Sequence, residues 1–152
     1  PLGINASVVA ERGYHLQWAR HDWPEQASVV YKDRSMIVTR FRSGLRAASF
    51  VEFAPPQTPA DPRKWNALQA HATALGLPVH APPQPWMGAR PTLPDYLPAI
   101  GRSRALPNLL YAFGHQHLGL TLAPITARIV AAIVAQMPTP VPVAAFDLQR
   151  FQ

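Results

Sequence analysis

The stretch from Trp86 to Thr121 constrains this chain more than any other. Arg90 stands two residues after Gly88 and directly before Pro91, with Pro94 and Pro98 following. Flanking prolines stiffen the backbone and fix the direction of a planar, permanently charged guanidinium. Further on, Leu109–Phe113 reads as a continuous apolar strand of the kind buried on both faces. A glycine loop follows, Gly114-His115-Gln116-His117-Leu118-Gly119-Leu120-Thr121, and then a long apolar helix. A strand, loop and helix in that order aim free backbone N–H groups and a positive dipole end at whatever lies in front. The earlier residues read as a wall facing that site.

That wall begins as strands. Tyr14-His15-Leu16-Gln17-Trp18 alternates with period two, Ala27–Tyr31 is rich in β-formers, and Met36–Phe41 alternates again. Asp33-Arg34-Ser35 and Arg42-Ser43-Gly44 sit at hairpin spacing, and Leu45–Phe53 follows. Four strands in an antiparallel meander are expected. After a stiff connector over 54–60, Asp61-Pro62 opens a helix whose stripe is Trp65, Leu68, Ala72 and Leu75. Gly76 and Pro78 stop it, and His71 reads as a packing or surface residue. Residues 77–85 form a second proline-rich crossing, and Trp86–Arg90 suits a short strand. Leu122–Met137 is apolar nearly all round, which predicts a buried helix with Pro124 in its first turn. The three prolines from Pro138 to Pro142 end it, and the tail reads as irregular.

The 152 residues suffice for a real core, and the 18 prolines are scattered as punctuation rather than blocked into disorder. With no cysteine, thiolate metal sites and cysteine nucleophiles are excluded. The net charge of +6 includes seven bases between Arg12 and Arg46. No nucleic-acid motif accompanies them, so a solvated sheet face or a field drawing small anions is expected, and no nucleic-acid partner. No apolar run reaches the roughly 18–20 residues needed to span a bilayer. Pro1-Leu2-Gly3-Ile4-Asn5 is neither a natural start nor a targeting sequence, and it reads as an expression scar or the interior of a longer protein.

Known catalytic signatures are missing. There is no Gly-x-Ser-x-Gly, no phosphate-binding P-loop, and no Gly-x-Gly-x-x-Gly after a strand. His115 and His117 would share a face on a strand, but no carboxylate completes a metal set, so no metal is expected. Tyr14 and Tyr31 read as core rather than pocket lining.

The combination Gly88-Ala89-Arg90-Pro91-Thr92-Leu93-Pro94-Asp95, Pro98-Ala99-Ile100-Gly101, Asn108-Leu109-Leu110, Gly114-His115, Gly119-Leu120-Thr121 and Ala123-Pro124 resembles the C-terminal part of the FAD-dependent amino-acid oxidoreductases. That superfamily includes D-amino-acid oxidase, glycine oxidase, sarcosine oxidase and the bacterial D-amino-acid dehydrogenases, and the dehydrogenase branch is the most similar. Glu11-Arg12-Gly13-Tyr14-His15 resembles the start of its substrate-domain sheet, and Phe146–Phe151 its Arg-Phe ending. Ala48-Ser49-Phe50 and Tyr96 depart from it where small residues are usual, and Gln116 and His117 enlarge the glycine loop.

The resemblance implies an α+β fold: an antiparallel β-meander sheet carrying a helix, then the strand, loop and buried helix of a flavin-binding part, with the Rossmann half missing. It implies a substrate-binding part at 1–85 and a C-terminal segment of the FAD-binding domain at 86–152. Arg90 matches the arginine that clamps a substrate carboxylate. Gly88 and the loop Gly114, His115, Gln116, His117, Leu118, Gly119, Leu120 and Thr121 match the segment facing the flavin. His115, Gln116 or His117 could present a side chain to the substrate amine, or could simply pack the loop. No dedicated acid–base residue is implied, since orientation and the flavin carry hydride transfer. The implied protein is a cytoplasmic enzyme, or one peripheral at the inner membrane face. It would oxidise a small amino acid, with its N-terminal FAD-binding half as partner. This portion alone would bind FAD weakly or not at all, be inactive, and self-associate. A different class remains open: a non-catalytic subunit docking on a separate flavin-bearing chain.

Overall fold

A computed structural model describes residues 6–151, so the reading of Pro1–Asn5 lies outside the described residues. The chain is α+β and falls into two compact units. One is the continuous stretch Arg12–Ala89, and the other combines Pro1–Glu11 with Arg90–Gln152. Strands β1 (Val9–Trp18), β2 (Val29–Tyr31), β3 (Met36–Phe41), β4 (Gly44–Phe53) and β5 (Gln84–Thr92) form one sheet in the order β2-β3-β4-β1-β5. Helix α1 is Pro62–Ala74. Strands β6 (Ala99–Arg102) and β7 (Leu110–Phe113) form a separate two-stranded sheet, followed by helix α2 (Gly119–Val134).

In Arg12–Ala89 the expected meander holds for β2-β3-β4, which pair antiparallel with Val38 opposite both Val29 and Ala47. It fails for β1, which lies beside β4 rather than β2. The ten residues between β1 and β2 are too many for a hairpin. They easily span the roughly 14 Å that three inter-strand spacings require. Alternation supplies the core: Tyr14, Leu16 and Trp18 of β1 are buried with Met36, Val38, Leu45 and Ala47. The stripe of α1 lies against them through buried Leu68 and Ala72, with Trp65 edge-on to Tyr14 at 5.5 Å. Asp61 caps α1 by accepting from the Arg63 N–H, and Gly76, at φ 61, ends the turn behind it. Gly44 is obligatory for a steric reason as well as its φ of 131. A Cβ there would collide with the Trp18 carbonyl oxygen.

A charged network sits in that core. Arg12 is wholly buried. Its guanidinium pairs with Glu52 at 3.2 Å and donates to the Tyr14 hydroxyl and the Pro59 carbonyl. Glu52 also accepts from Tyr14 at 2.7 Å and from Lys64 at 2.9 Å. These donors, the Tyr14 hydroxyl foremost and then Lys64, hold its carboxyl below the usual range.

In the other unit β6 and β7 pair antiparallel, Ile100 opposite Ala112, and α2 packs on both. Leu93, Ala99 and Leu148 form its small core with Tyr111, Phe113 and Phe151. The tail is not irregular. Two 3₁₀ turns, Ala144–Phe146 and Leu148–Phe151, bring it back to the core, where the Tyr111 hydroxyl donates to Asp147 and accepts from the Leu148 N–H.

Three expectations about the strand and helix need correction. β7 is not buried on both faces: Ala112 is exposed and its neighbours are half-buried, because β7 pairs only with β6 among the described residues. α2 is not buried all round. Ile129 is its one buried residue, while Leu120 is 91% and Val134 58% exposed. The helix also starts three residues early and ends three early, at Val134. Pro124 therefore lies in its second turn and leaves the Leu120 carbonyl without its helical donor. The end comes at Gln136, whose φ of 55 does what glycine usually does, with the Met137 N–H closing back on the Ala132 carbonyl.

Candidate functional site

Arg90 comes near the end of β5, directly before Pro91 and Thr92, the last two residues of the strand. Its side chain is 35% exposed, and Nη1 lies 3.7 Å from a carboxylate oxygen of Glu11. Glu11 is itself buried, and its other oxygen accepts from the Thr92 hydroxyl at 2.9 Å. One edge of the Arg90 fork therefore faces a fixed anion.

Beyond Thr92 the chain turns at Leu93–Tyr96, with Tyr96 in the left-handed region at φ 62. Asp95 holds this turn by accepting from the Leu97 N–H and from Arg150 at 2.6 Å. Arg150 also donates to the Leu97 and Pro98 carbonyls, and its guanidinium lies over Phe151. Arg150 is thus a strap across the turn, and its hydrogen bonds keep the Asp95 carboxyl below the usual range.

The glycine loop approaches the same turn. Gly114 is buried at φ 80, and a Cβ there would come within 2.7 Å of Leu93 Cδ1. Gln116, also left-handed at φ 52, donates from Nε2 to the Tyr96 carbonyl at 2.6 Å. His115 is half-buried, with Nε2 3.0 Å from the Thr126 hydroxyl, and burial lowers its pKa. His117 and Leu118 are exposed. The two histidines lie in a loop and not on a strand, and no group of three His, Cys, Asp or Glu gathers among the described residues. The first turn of α2 has no side-chain cap and no acidic residue, so the N–H groups of Gly119, Leu120 and Thr121 are the donors at that end. Along α2 runs an apolar groove of about 540 Å³, lined by His115, Gly119, Ala123, Thr126, Ala127 and Val130 among others.

Gly88 belongs to the other unit and has a packing reason of its own: a Cβ there would strike the Trp86 ring. Trp86 stacks on His15 at 4.7 Å, beside a cleft of about 400 Å³ shared with Gln17, Arg46, Gln84 and Pro85. Burial, then the Arg46 charge, lowers His15 to about 4. Tyr14 is core, as expected, and Tyr31 packs against it. Among the described residues no hydrogen bond or ion pair links Arg90 with His115, Gln116 or His117. His115 joins instead to Thr126 and Gln116 to the turn at Tyr96, while His117 is exposed. Sequence reasoning missed Glu11 as the partner of Arg90 and Thr92 as the partner of Glu11. Nothing in the sequence marks a contact between residues 81 positions apart.

Residues 2–133 match the FAD dependent oxidoreductase family, DAO. The chain belongs to that family. Members similar to it include a D-amino-acid oxidase of Bradyrhizobium diazoefficiens, 35% identical over 99% of this chain and 37% of that protein. A D-amino acid dehydrogenase of Paramagnetospirillum magneticum is 28% identical over 99% of this chain and 36% of that protein. Among solved structures, glycine oxidase from Geobacillus kaustophilus superposes with a TM-score of 0.79 at 24% identity, over 98% of this chain and 41% of that one. L-proline dehydrogenase from P. horikoshii gives 0.75 at 20%, over 98% and 41%. These two likenesses establish the shared fold. The chain spans a little over a third of the length of the two curated relatives. No helix among the described residues is long and apolar enough to cross a membrane.

Proposed function

We propose that this chain is the C-terminal portion of an FAD-dependent enzyme that oxidises a small amino acid, of D configuration where the α-carbon is chiral, to its imino acid. Residues 1–85 would serve the substrate side and 86–152 the FAD-binding domain. The observation that carries this reading is Arg90: one-third exposed, at a proline-stiffened strand end, with one edge engaged by Glu11. A planar fork held on one edge can take a carboxylate on the other, and two parallel hydrogen bonds would fix the α-carbon in one orientation.

The loop Gly114–Thr121 fits an electron-rich ring edge. It offers the N–H donors of Gly119, Leu120 and Thr121 and the positive end of α2, whose first turn carries no acidic residue. Bound FAD would supply the hydride acceptor. This chain's residues would hold the carboxylate, orient the α-carbon and, through Leu118 and Leu120, keep water from the reacting face. The apolar groove and exposed face of α2 suit coverage by an N-terminal FAD-binding half. Without that half the portion is expected to self-associate and to retain little flavin. The same face would equally serve docking on a separate flavin-bearing chain, the second reading. The enzyme would be cytoplasmic, free or peripheral at the inner membrane face.

The test is flavin reduction in the full-length protein. D-Proline or D-alanine should bleach the visible band, and Arg90→Ala should raise KM about 100-fold or more while the oxidised spectrum stays unchanged. A colourless native protein, or Arg90→Ala with unaltered KM, would overturn the reading.

A further inference from the structure

Glu11 is a buried carboxylate, and a buried carboxylate is unfavourable unless other groups satisfy it. The structure divides its two oxygens. Oε2 accepts from the Thr92 hydroxyl at 2.9 Å, and Oε1 faces Arg90 Nη1 at 3.7 Å. Thr92 is itself buried, 2% exposed, so the Thr92–Glu11 bond is shielded from water and rigid. The ion pair to Arg90 is longer than a hydrogen bond, and Arg90 stays partly open to solvent. One partner is therefore fixed and the other adjustable. Arginine has a long side chain, and a lone exposed one samples many rotamers. An anion fixed on one side of its plane removes most of them and leaves the opposite edge of the fork free.

We propose that Glu11, anchored by Thr92, is the positioning residue that presents Arg90 to the substrate carboxylate. The inference rests on the reading of Arg90 as the carboxylate clamp. It makes the arrangement a chain of three: hydroxyl, buried carboxylate, guanidinium, with the substrate carboxylate as the fourth member. Glu11 touches no substrate. Its effect is to set where the two donors of Arg90 point, so its removal should weaken capture of the amino acid far more than turnover of what is captured.

The experiment is steady-state kinetics on the full-length flavoprotein, with flavin content and melting temperature measured for every variant. Glu11→Gln should raise KM for D-proline or D-alanine about tenfold with kcat changed less than threefold. Glu11→Asp, which keeps the charge but draws it back, should fall between. If Glu11→Gln does not fold, Thr92→Val frees the carboxylate instead and should raise KM in the same direction, with Thr92→Ser recovering most of it. The deciding measurement is Glu11→Gln in an Arg90→Ala background, where it should have no further effect on KM. The same KM penalty with and without Arg90 would mean a structural role and overturn the positioning proposal alone. A normal KM for Arg90→Ala itself would overturn the clamp, and the proposal with it.

Discussion

Gln116 Nε2 donates to the Tyr96 carbonyl at 2.6 Å, and both residues have left-handed backbones. One loop adjoins the strand bearing Arg90 and the other opens α2, so this bond couples the two halves of the proposed site. A non-glycine left-handed residue carries roughly 1–2 kcal/mol of strain, and an exposed hydrogen bond returns roughly 1 kcal/mol. Gln116→Gly loses the bond but relieves the strain, whereas Gln116→Ala loses the bond and keeps it. The alanine variant should therefore be the less stable by roughly 1 kcal/mol in denaturant unfolding, the reverse of their usual order. An alanine variant as stable as the glycine one would mean that the loop carries no such strain.

Gly114→Ala should be far more damaging. It places a methyl against Leu93 Cδ1 at a φ of 80, adding backbone strain to overpacking, about 3 kcal/mol together. Leu93→Ala should recover part of that loss in the double variant, giving a favourable coupling energy in a double-mutant cycle.

Glu52 neutralises the buried Arg12. Glu52→Gln strands that charge and should destabilise the protein by about 3 kcal/mol, measured by urea midpoint. The sign of the pH effect follows from the lowered carboxyl pKa. The folded state binds its proton less readily than the unfolded chain does. Stability is full above the ordinary carboxylate range and is lost as pH falls through it. In Glu52→Gln this acid-induced loss should be shallower.

His15 titrates in the opposite region. Its folded value of about 4 lies below the ordinary 6.5, so the fold favours the neutral ring stacked on Trp86. Stability from this group is complete above pH 6.5 and declines as pH falls from there toward 4. NMR titration of the His15 ring should give a midpoint near the lower value. His15→Gln should flatten the pH dependence of melting across that window. A midpoint near 6.5 would refute the buried, neutral assignment.

Local chemistry made much of the fold legible. The alternation of Tyr14, Leu16 and Trp18, the Asp61-Pro62 cap and the Gly76 stop appear in the structure as the sequence implied. Non-local choices were not legible. β1 inserts beside β4 because a ten-residue connection leaves its partner open, and only the assembled sheet decides it. The apolar residues of α2 encoded a buried helix, but burial depends on what covers the helix, and within this chain its outer face stays exposed. Its end was misplaced because Gln136 takes a conformation the sequence signals only through glycine. At the candidate site, the glycine and prolines that stiffen the segment around Arg90 were readable, whereas the Glu11 ion pair, its Thr92 anchor and the Arg150 strap needed three dimensions.

The two-unit division also dictates an order of assembly. Arg12–Ala89 is continuous, whereas the other unit joins two pieces that flank it. Bringing Glu11 to Thr92 closes a loop of 81 positions. Restraining a flexible chain of that length opposes closure by roughly 4 kcal/mol of entropy. The intervening stretch, once folded, holds its own ends and removes most of that penalty. The Glu11–Thr92 contact should therefore form late in folding, and on the proposed reading Arg90 would be oriented toward a substrate only after the inserted unit is complete.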